Sequence, residues 1–259
     1  MIATLAIAIL ALYLLVGEPL LGRHAHRRLL AALDAGVPGA RRRFYRQWTW
    51  QGWVLLMVTL VVALGVAGWT PAQLGLRLPH WPAGLPADHA GAGLLTGFVT
   101  GAALAAVGGI VIGLVLARRR RETPPSVRPP RVAGGDKLLR MLPHTRSERW
   151  GFAALAVTAG ITEEVIWRGF GLGLLFMLLP RAPVAVPIVL AALAFGWAHL
   201  YQGWTGVLAT AVLGGLFAWL YWATGSLLPP MLLHVLVDLR AALVRVPADT
   251  PPTAGSQPP

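Results

Sequence analysis

Apolar residues run with few interruptions over 2–16, 52–69, 90–116, 152–179, 184–200, 207–223 and 227–244, separated by polar or Pro-rich connections. At about 1.5 Å of rise per residue, a helix of about 20 residues crosses roughly 30 Å of hydrocarbon. The pattern predicts an all-α, polytopic transmembrane helical bundle of about seven spans. The run 152–179 is long for a single crossing and is interrupted by Gly160, Thr162, Glu163, Glu164 and Arg168. A short interfacial helix is expected before the glutamate pair, and a span from there to 179. The first run has no basic residue before it and no small-residue cleavage site after it, so it reads as a retained anchor.

Within the third run, Gly93, Gly97 and Gly101 recur at four-residue spacing, followed by Gly109 and Gly113. This lines small residues along one helix face for close packing. Between the last two runs, Thr224-Gly225-Ser226 reads as a tight turn, with Ser226 as N-cap and Pro229 near the start of the final helix.

Composition sharpens the class. The chain is 56% hydrophobic and only 12% charged, a balance foreign to soluble domains of this size. Its formal net charge of +12 falls mainly in two blocks, Arg23 to Arg46 and Arg118 to Arg149, which look like cytoplasmic loops rather than a nucleic-acid surface. The connection 70–89 carries one arginine, Arg77, so it is assigned to the opposite side. The N-terminus is then outside and the C-terminus cytoplasmic. Four segments follow: N-terminal transmembrane helices (1–117), a basic cytoplasmic linker (118–149), a C-terminal core (150–245) and a Pro-rich, disordered tail (246–259). A single lysine among many arginines, with abundant Ala, Gly and Pro, points to a GC-rich bacterium and hence to its plasma membrane. The chain has no cysteine, which removes disulfides, thiolate metal sites and a cysteine nucleophile.

Ionisable residues inside apolar runs are costly and mark function by default. Three helical segments of the C-terminal half carry them. In Thr162 to Gly169, Glu164 and Arg168 stand four apart in the favourable order for an ion pair, which leaves Glu163 facing elsewhere. Phe195 precedes His199 by one turn, and His234 precedes Asp238 by one turn, so imidazole and carboxylate share a face. Two imidazoles, a free carboxylate and an Asp can hold and deprotonate one water and stabilise the oxyanion formed when it attacks a carbonyl. Gly-x-Ser-x-Gly and His-Glu-x-x-His signatures are absent.

These motifs, Glu163-Glu164-x-x-x-Arg168, Phe195-x-x-x-His199 and His234-x-x-x-Asp238, resemble the EExxxR, FxxxH and HxxxN/D pattern of the CPBP intramembrane proteases, the CAAX prenyl protease 2-like and bacteriocin-processing membrane proteins. The resemblance covers about 150–244. It implies an endopeptidase with its active site between the helices of the C-terminal half, acting on a membrane-anchored or lipidated protein or peptide. Glu163 and His199 are then expected to activate water, with His234 and Asp238 on the oxyanion side and Glu164, Arg168 and Phe195 in support. Many members carry Asn in place of Asp238. An ionised Asp cannot donate to an oxyanion, so Asp238 is expected either to be protonated or to orient His234. No cofactor is expected; a zinc form with Glu163, His199 and His234 as ligands stays open, as do a non-catalytic immunity or scaffold protein and a proton-coupled transporter. The expected partners are the lipid bilayer and a membrane-anchored substrate, with no nucleic acid; neither the substrate nor the oligomeric state is legible.

Overall fold

The computed structural model describes residues 1–79 and 139–242. The described residues are helical, with no strand among them. The expected third span at 90–116, its glycine ladder, most of the basic linker and the C-terminal tail lie outside the described residues.

The chain begins with one unbroken helical rod, Ile2–Asp34, rather than a span ending near residue 16. It consists of α1 (Ile2–Leu12), a stretch of wide π turns at Tyr13–Gly17, and α2 (Glu18–Asp34). A wide turn aligns residues five apart, and Tyr13 Oη donates to Glu18 Oε2 at 3.0 Å. Gly17 makes this possible: a Cβ there would meet Tyr13 Cδ2 at 2.6 Å. Pro19 has no N–H to offer the Leu15 carbonyl four residues earlier. That carbonyl instead accepts the indole N–H of Trp197 at 3.0 Å, which ties the first rod to a helix of the C-terminal half.

A tight connection with Gly36 and Gly39 at positive φ reverses the chain into α3 (Ala40–Leu60), which runs on through a second π stretch to Val66. At the basic end of the bundle, Arg41 Nε donates to the Arg140 carbonyl at 2.9 Å. There Tyr45 Oη also donates to the Met141 carbonyl, and Arg140 pairs with Asp34.

The next rod corrects the expectation of a break before the glutamates. Helix α4 (Arg146–Glu163) passes through a nine-residue π stretch, Glu164–Leu172, into α5 (Gly173–Leu178), with right-handed helical backbone at both junctions. Its start is set by a capping box: Glu148 N donates to Thr145 Oγ1 at 3.2 Å and Thr145 N donates to Glu148 Oε2 at 3.1 Å. The excess length is therefore absorbed by extension toward the basic end and by wide turns.

Helix α6 (Ala185–Ala198) is followed by a 3-10 turn at Leu200–Gln202, α7 (Gly203–Thr224) and α8 (Leu228–Ala242). The expected cap is present, with Leu228 N donating to Ser226 Oγ at 3.2 Å. At this end of the bundle the loop after α3 is stapled to the α7–α8 turn. Leu227 N donates to the Gly75 carbonyl at 3.0 Å, Arg77 Nε to Gly225 at 2.7 Å, and Ser226 Oγ to Arg77.

Close helix approach rests on missing side chains. A Cβ at Gly160 of α4 would lie 2.4 Å from Val235 Cγ2 of α8, and one at Gly196 of α6 would lie 2.6 Å from the Val207 carbonyl of α7. Three described helices are long and apolar enough to cross a membrane: Ile2–Asp34, Ala40–Val66 and Leu200–Thr224. Ala185–Ala198 is apolar but shorter. Their outer faces expose Leu5, Ile9, Val58, Val189, Leu193, Leu208 and Val212, as lipid-facing surfaces do.

Candidate active site

All seven residues singled out in the sequence lie where α4 with its π stretch, α6, α7 and α8 meet. Consecutive residues on a helix point about 100° apart, and the two glutamates accordingly serve different neighbours.

Glu164 is fully buried. Its Oε1 lies 3.0 Å from Arg168 Nη1 and accepts from His234 Nδ1 at 2.7 Å. The Arg168 side chain is 2% exposed; its Nη2 donates to the Gly214 carbonyl of α7 at 3.3 Å. The guanidinium sits over the Phe195 ring, 4.1 Å from the centroid, with Phe217 at 5.3 Å. Two aromatic faces and one carboxylate thus compensate the charge of this cation. Phe217 also stacks on His234, centroids 5.1 Å apart and planes 26° apart.

The other nitrogen of His234, Nε2, faces Asp238 Oδ2 at 3.7 Å. The imidazole thus lies between two carboxylates, one in direct hydrogen bond and one a step further out. The pairing of Glu164 with Arg168 alone, expected from spacing, is corrected to a three-membered set that reaches His234, seventy residues away in sequence.

Glu163 turns toward His199, with Oε2 3.8 Å from Nε2. This carboxylate oxygen is buried, and among the described residues it has no hydrogen-bond partner. His199 Nδ1 is 2.9 Å from the Phe195 carbonyl, which can only accept, so Nδ1 carries the ring proton in the neutral imidazole and Nε2 is the bare acceptor facing Glu163. Glu163 and Asp238 are the most open members of the set, at 28% and 36% exposed.

The alternative zinc ligands Glu163, His199 and His234 do not converge. Among the described residues no group of three His, Asp or Glu side chains is arranged to hold a metal ion. This arrangement does not fit a metal.

Three features escaped the sequence reading. Phe217 and the Gly214 carbonyl hold Arg168 and His234 from α7, and nothing in an apolar helix marks them. Glu18, from the first rod, lies within electrostatic reach of Glu163. Tyr201 of the 3-10 turn sits against His199, ring centroids 5.8 Å apart.

Helices fit to cross a bilayer, enclosing an ionisable cluster, define an integral membrane protein with a polar centre inside its helical bundle. Residues 145–240 match the family model described as Type II CAAX prenyl endopeptidase, Rce1-like. That segment is similar to the Rce1-like domain of CAAX-type intramembrane endopeptidases. No curated protein and no solved structure matches the chain significantly.

Proposed function

We propose that the protein is an intramembrane endopeptidase that hydrolyses a peptide bond in a membrane-anchored or lipidated protein or peptide, with Glu163 as general base. The observation that carries this reading is the buried Glu163 oxygen that lacks a partner and faces the bare Nε2 of His199 at 3.8 Å. That distance is too long for a direct hydrogen bond and short enough for one water to touch both atoms. A buried carboxylate oxygen without a partner costs about 1–3 kcal/mol or more, an expense with no structural return.

In the proposed reaction His199 Nε2 accepts one hydrogen bond from the water and Glu163 removes its proton as the oxygen adds to the scissile carbonyl carbon. The resulting oxyanion lies on the side of His234, whose orientation is held by Glu164 Oε1 on one nitrogen and Asp238 on the other. Collapse breaks the C–N bond, and the proton held by Glu163 passes to the departing amine. Water is consumed, and one carboxyl and one amine terminus are released. Asp238 is assigned the role of orienting His234.

The basic end, with Arg41, Arg140 and Arg146, is assigned to the cytoplasm, and the Arg77 end to the opposite face. The chain is read as a plasma-membrane protein, with the N-terminus outside. A prenylated CaaX-type substrate follows from the family description alone; a bacterial lipidated protein or bacteriocin-like peptide is the alternative.

The test compares membranes from cells expressing wild type and Glu163→Ala at equal amounts, with newly formed C-termini quantified by mass spectrometry. Termini that vanish with Glu163→Ala are expected, and activity of the purified enzyme should persist through exhaustive chelation. Cleavage at the wild-type rate by Glu163→Ala would refute the mechanism. A chelator-sensitive enzyme restored by zinc would reinstate the metal form.

A further inference from the structure

Asp238 can donate a hydrogen bond only when protonated, and His234 Nδ1 is committed to Glu164, which leaves His234 Nε2 on the oxyanion side and room for a second, neutral donor. Tyr201 brings a phenol to the edge of the same cluster, against His199. Its ring lies 5.8 Å from His199 and 5.7 Å from His26, and its phenol is within electrostatic reach of Glu163, Asp238 and Glu18.

The hydrogen bonding around it fixes which way its proton is free. Thr210 Oγ1 donates to Gln202 Oε1 at 3.3 Å, which commits the amide oxygen and leaves the amide N–H₂ to donate, and Gln202 Nε2 does so to Tyr201 Oη at 3.2 Å. The phenol oxygen is therefore an acceptor from behind. Among the described residues its own O–H donates to nothing in hydrogen-bond range. Two glycines hold this device in place. A Cβ at Gly206 would stand 2.3 Å from Gln202 Cβ, so only glycine lets the amide fold back toward Thr210; a Cβ at Gly22 of α2 would stand 3.3 Å from Tyr201 Cδ1. The ring is thus pressed between the first rod and the site, and a phenol with few free torsions is a preorganised donor.

Resting on the functional reading above, we propose that Tyr201 is a further catalytic residue: its hydroxyl donates a hydrogen bond to the oxyanion of the tetrahedral intermediate, positioned by the Gln202–Thr210 relay. It transfers no proton; it stabilises charge that develops only in the transition state. Its loss therefore lowers kcat far more than it changes KM.

The experiment uses the full-length protein in membranes and a peptide spanning the Glu163-dependent cleavage site found as described above. Wild type, Glu163→Ala and Tyr201→Phe are compared, normalised to folded enzyme. Tyr201→Phe keeps the ring and its packing. A fall in kcat of about 100-fold with KM within about threefold is expected. A phosphonate analogue of the tetrahedral intermediate should bind Tyr201→Phe weaker by a similar factor, while the uncleavable reduced-amide peptide binds both alike. A Tyr201→Phe enzyme with kcat within threefold of wild type overturns this inference and leaves the functional reading standing. Equal losses for the phosphonate and the reduced-amide peptide also overturn it, because they make Tyr201 a binding residue. If no cleavage depends on Glu163, the functional reading falls and this inference with it.

Discussion

Two adjacent glutamates with the same charge and different neighbours should respond oppositely to the same substitution. Glu164 is fully buried and neutralises a guanidinium that is itself 2% exposed, while holding His234 at 2.7 Å. Glu164→Gln keeps the shape and leaves an oxygen to accept from His234, but it strands Arg168 as an uncompensated buried charge. Removing one partner of a buried pair costs about 3–5 kcal/mol. The retained hydrogen bond to His234 argues for the lower end, about 3 kcal/mol. For a chain of this size that corresponds to a loss of roughly 6–12 °C in Tm. Glu163 is 28% exposed, and its Oε2 has no partner to lose. Glu163→Gln should therefore change stability by less than about 1 kcal/mol, while abolishing Glu163-dependent cleavage. Thermal unfolding in detergent, followed by the emission of the 11 tryptophans, separates the two, since Trp167 is buried beside the site. A Glu164→Gln protein melting within 2 °C of wild type would refute the argument, as would a Glu163→Gln protein that loses as much as Glu164→Gln.

Gly160→Ala places a methyl 2.4 Å from Val235 Cγ2 and 2.9 Å from its backbone nitrogen; it should destabilise by about 1–3 kcal/mol and, by pushing α8 and His234 away from Glu164, depress cleavage beyond the loss of folded enzyme. Trp197→Phe removes the indole donor from the Leu15 carbonyl beside Pro19; about 1 kcal/mol of stability should go, with earlier proteolysis of the first rod and little change in KM. Tyr13→Phe breaks the bond to Glu18 across the first π stretch and should cost about 1 kcal/mol, read as a small shift in the same melting experiment.

The sequence carried the site further than the fold. Spacing alone joined Glu164 to Arg168 and stacked Phe195 under His199, because both are helical near-neighbour relations that any right-handed helix enforces. The same local logic found the Ser226 cap. The Thr-x-x-Glu box at Thr145 was equally local and would have placed the start of α4, showing that the helix enters well before the glutamates. What escaped depends on tertiary contact. Nothing near His234 names Glu164 as its partner, and nothing in Gly203–Thr224 distinguishes Phe217 from its apolar neighbours. The π stretches escaped for a related reason: they are selected by what the wide turn reaches, such as Glu18 from Tyr13, and hydrophobic periodicity is blind to one extra residue per turn.

That extra length bears on how the site is assembled across the bundle. A span beginning at Glu163 would put this carboxylate at one membrane face, whereas His234 lies only six residues, about 9 Å, into α8. The continuous rod removes the conflict, since Glu163 follows 17 residues, about 26 Å, of α4 and precedes about 23 Å of helix to Leu178. His199 closes the 14-residue α6, about 21 Å from its start. Charges held that far from either end must be neutralised among themselves. Arg168 and His234 with Glu164 and Asp238 do this, two cations against two carboxylates when all four are ionised. Glu163 is left outside that balance, opposite an imidazole whose facing nitrogen has no proton to give. Its charge is compensated neither by a cation in contact nor by a donor. Glu164, by contrast, has a guanidinium and an imidazole on its Oε1, and on the proposed reading this difference leaves Glu163 free to take a proton from water.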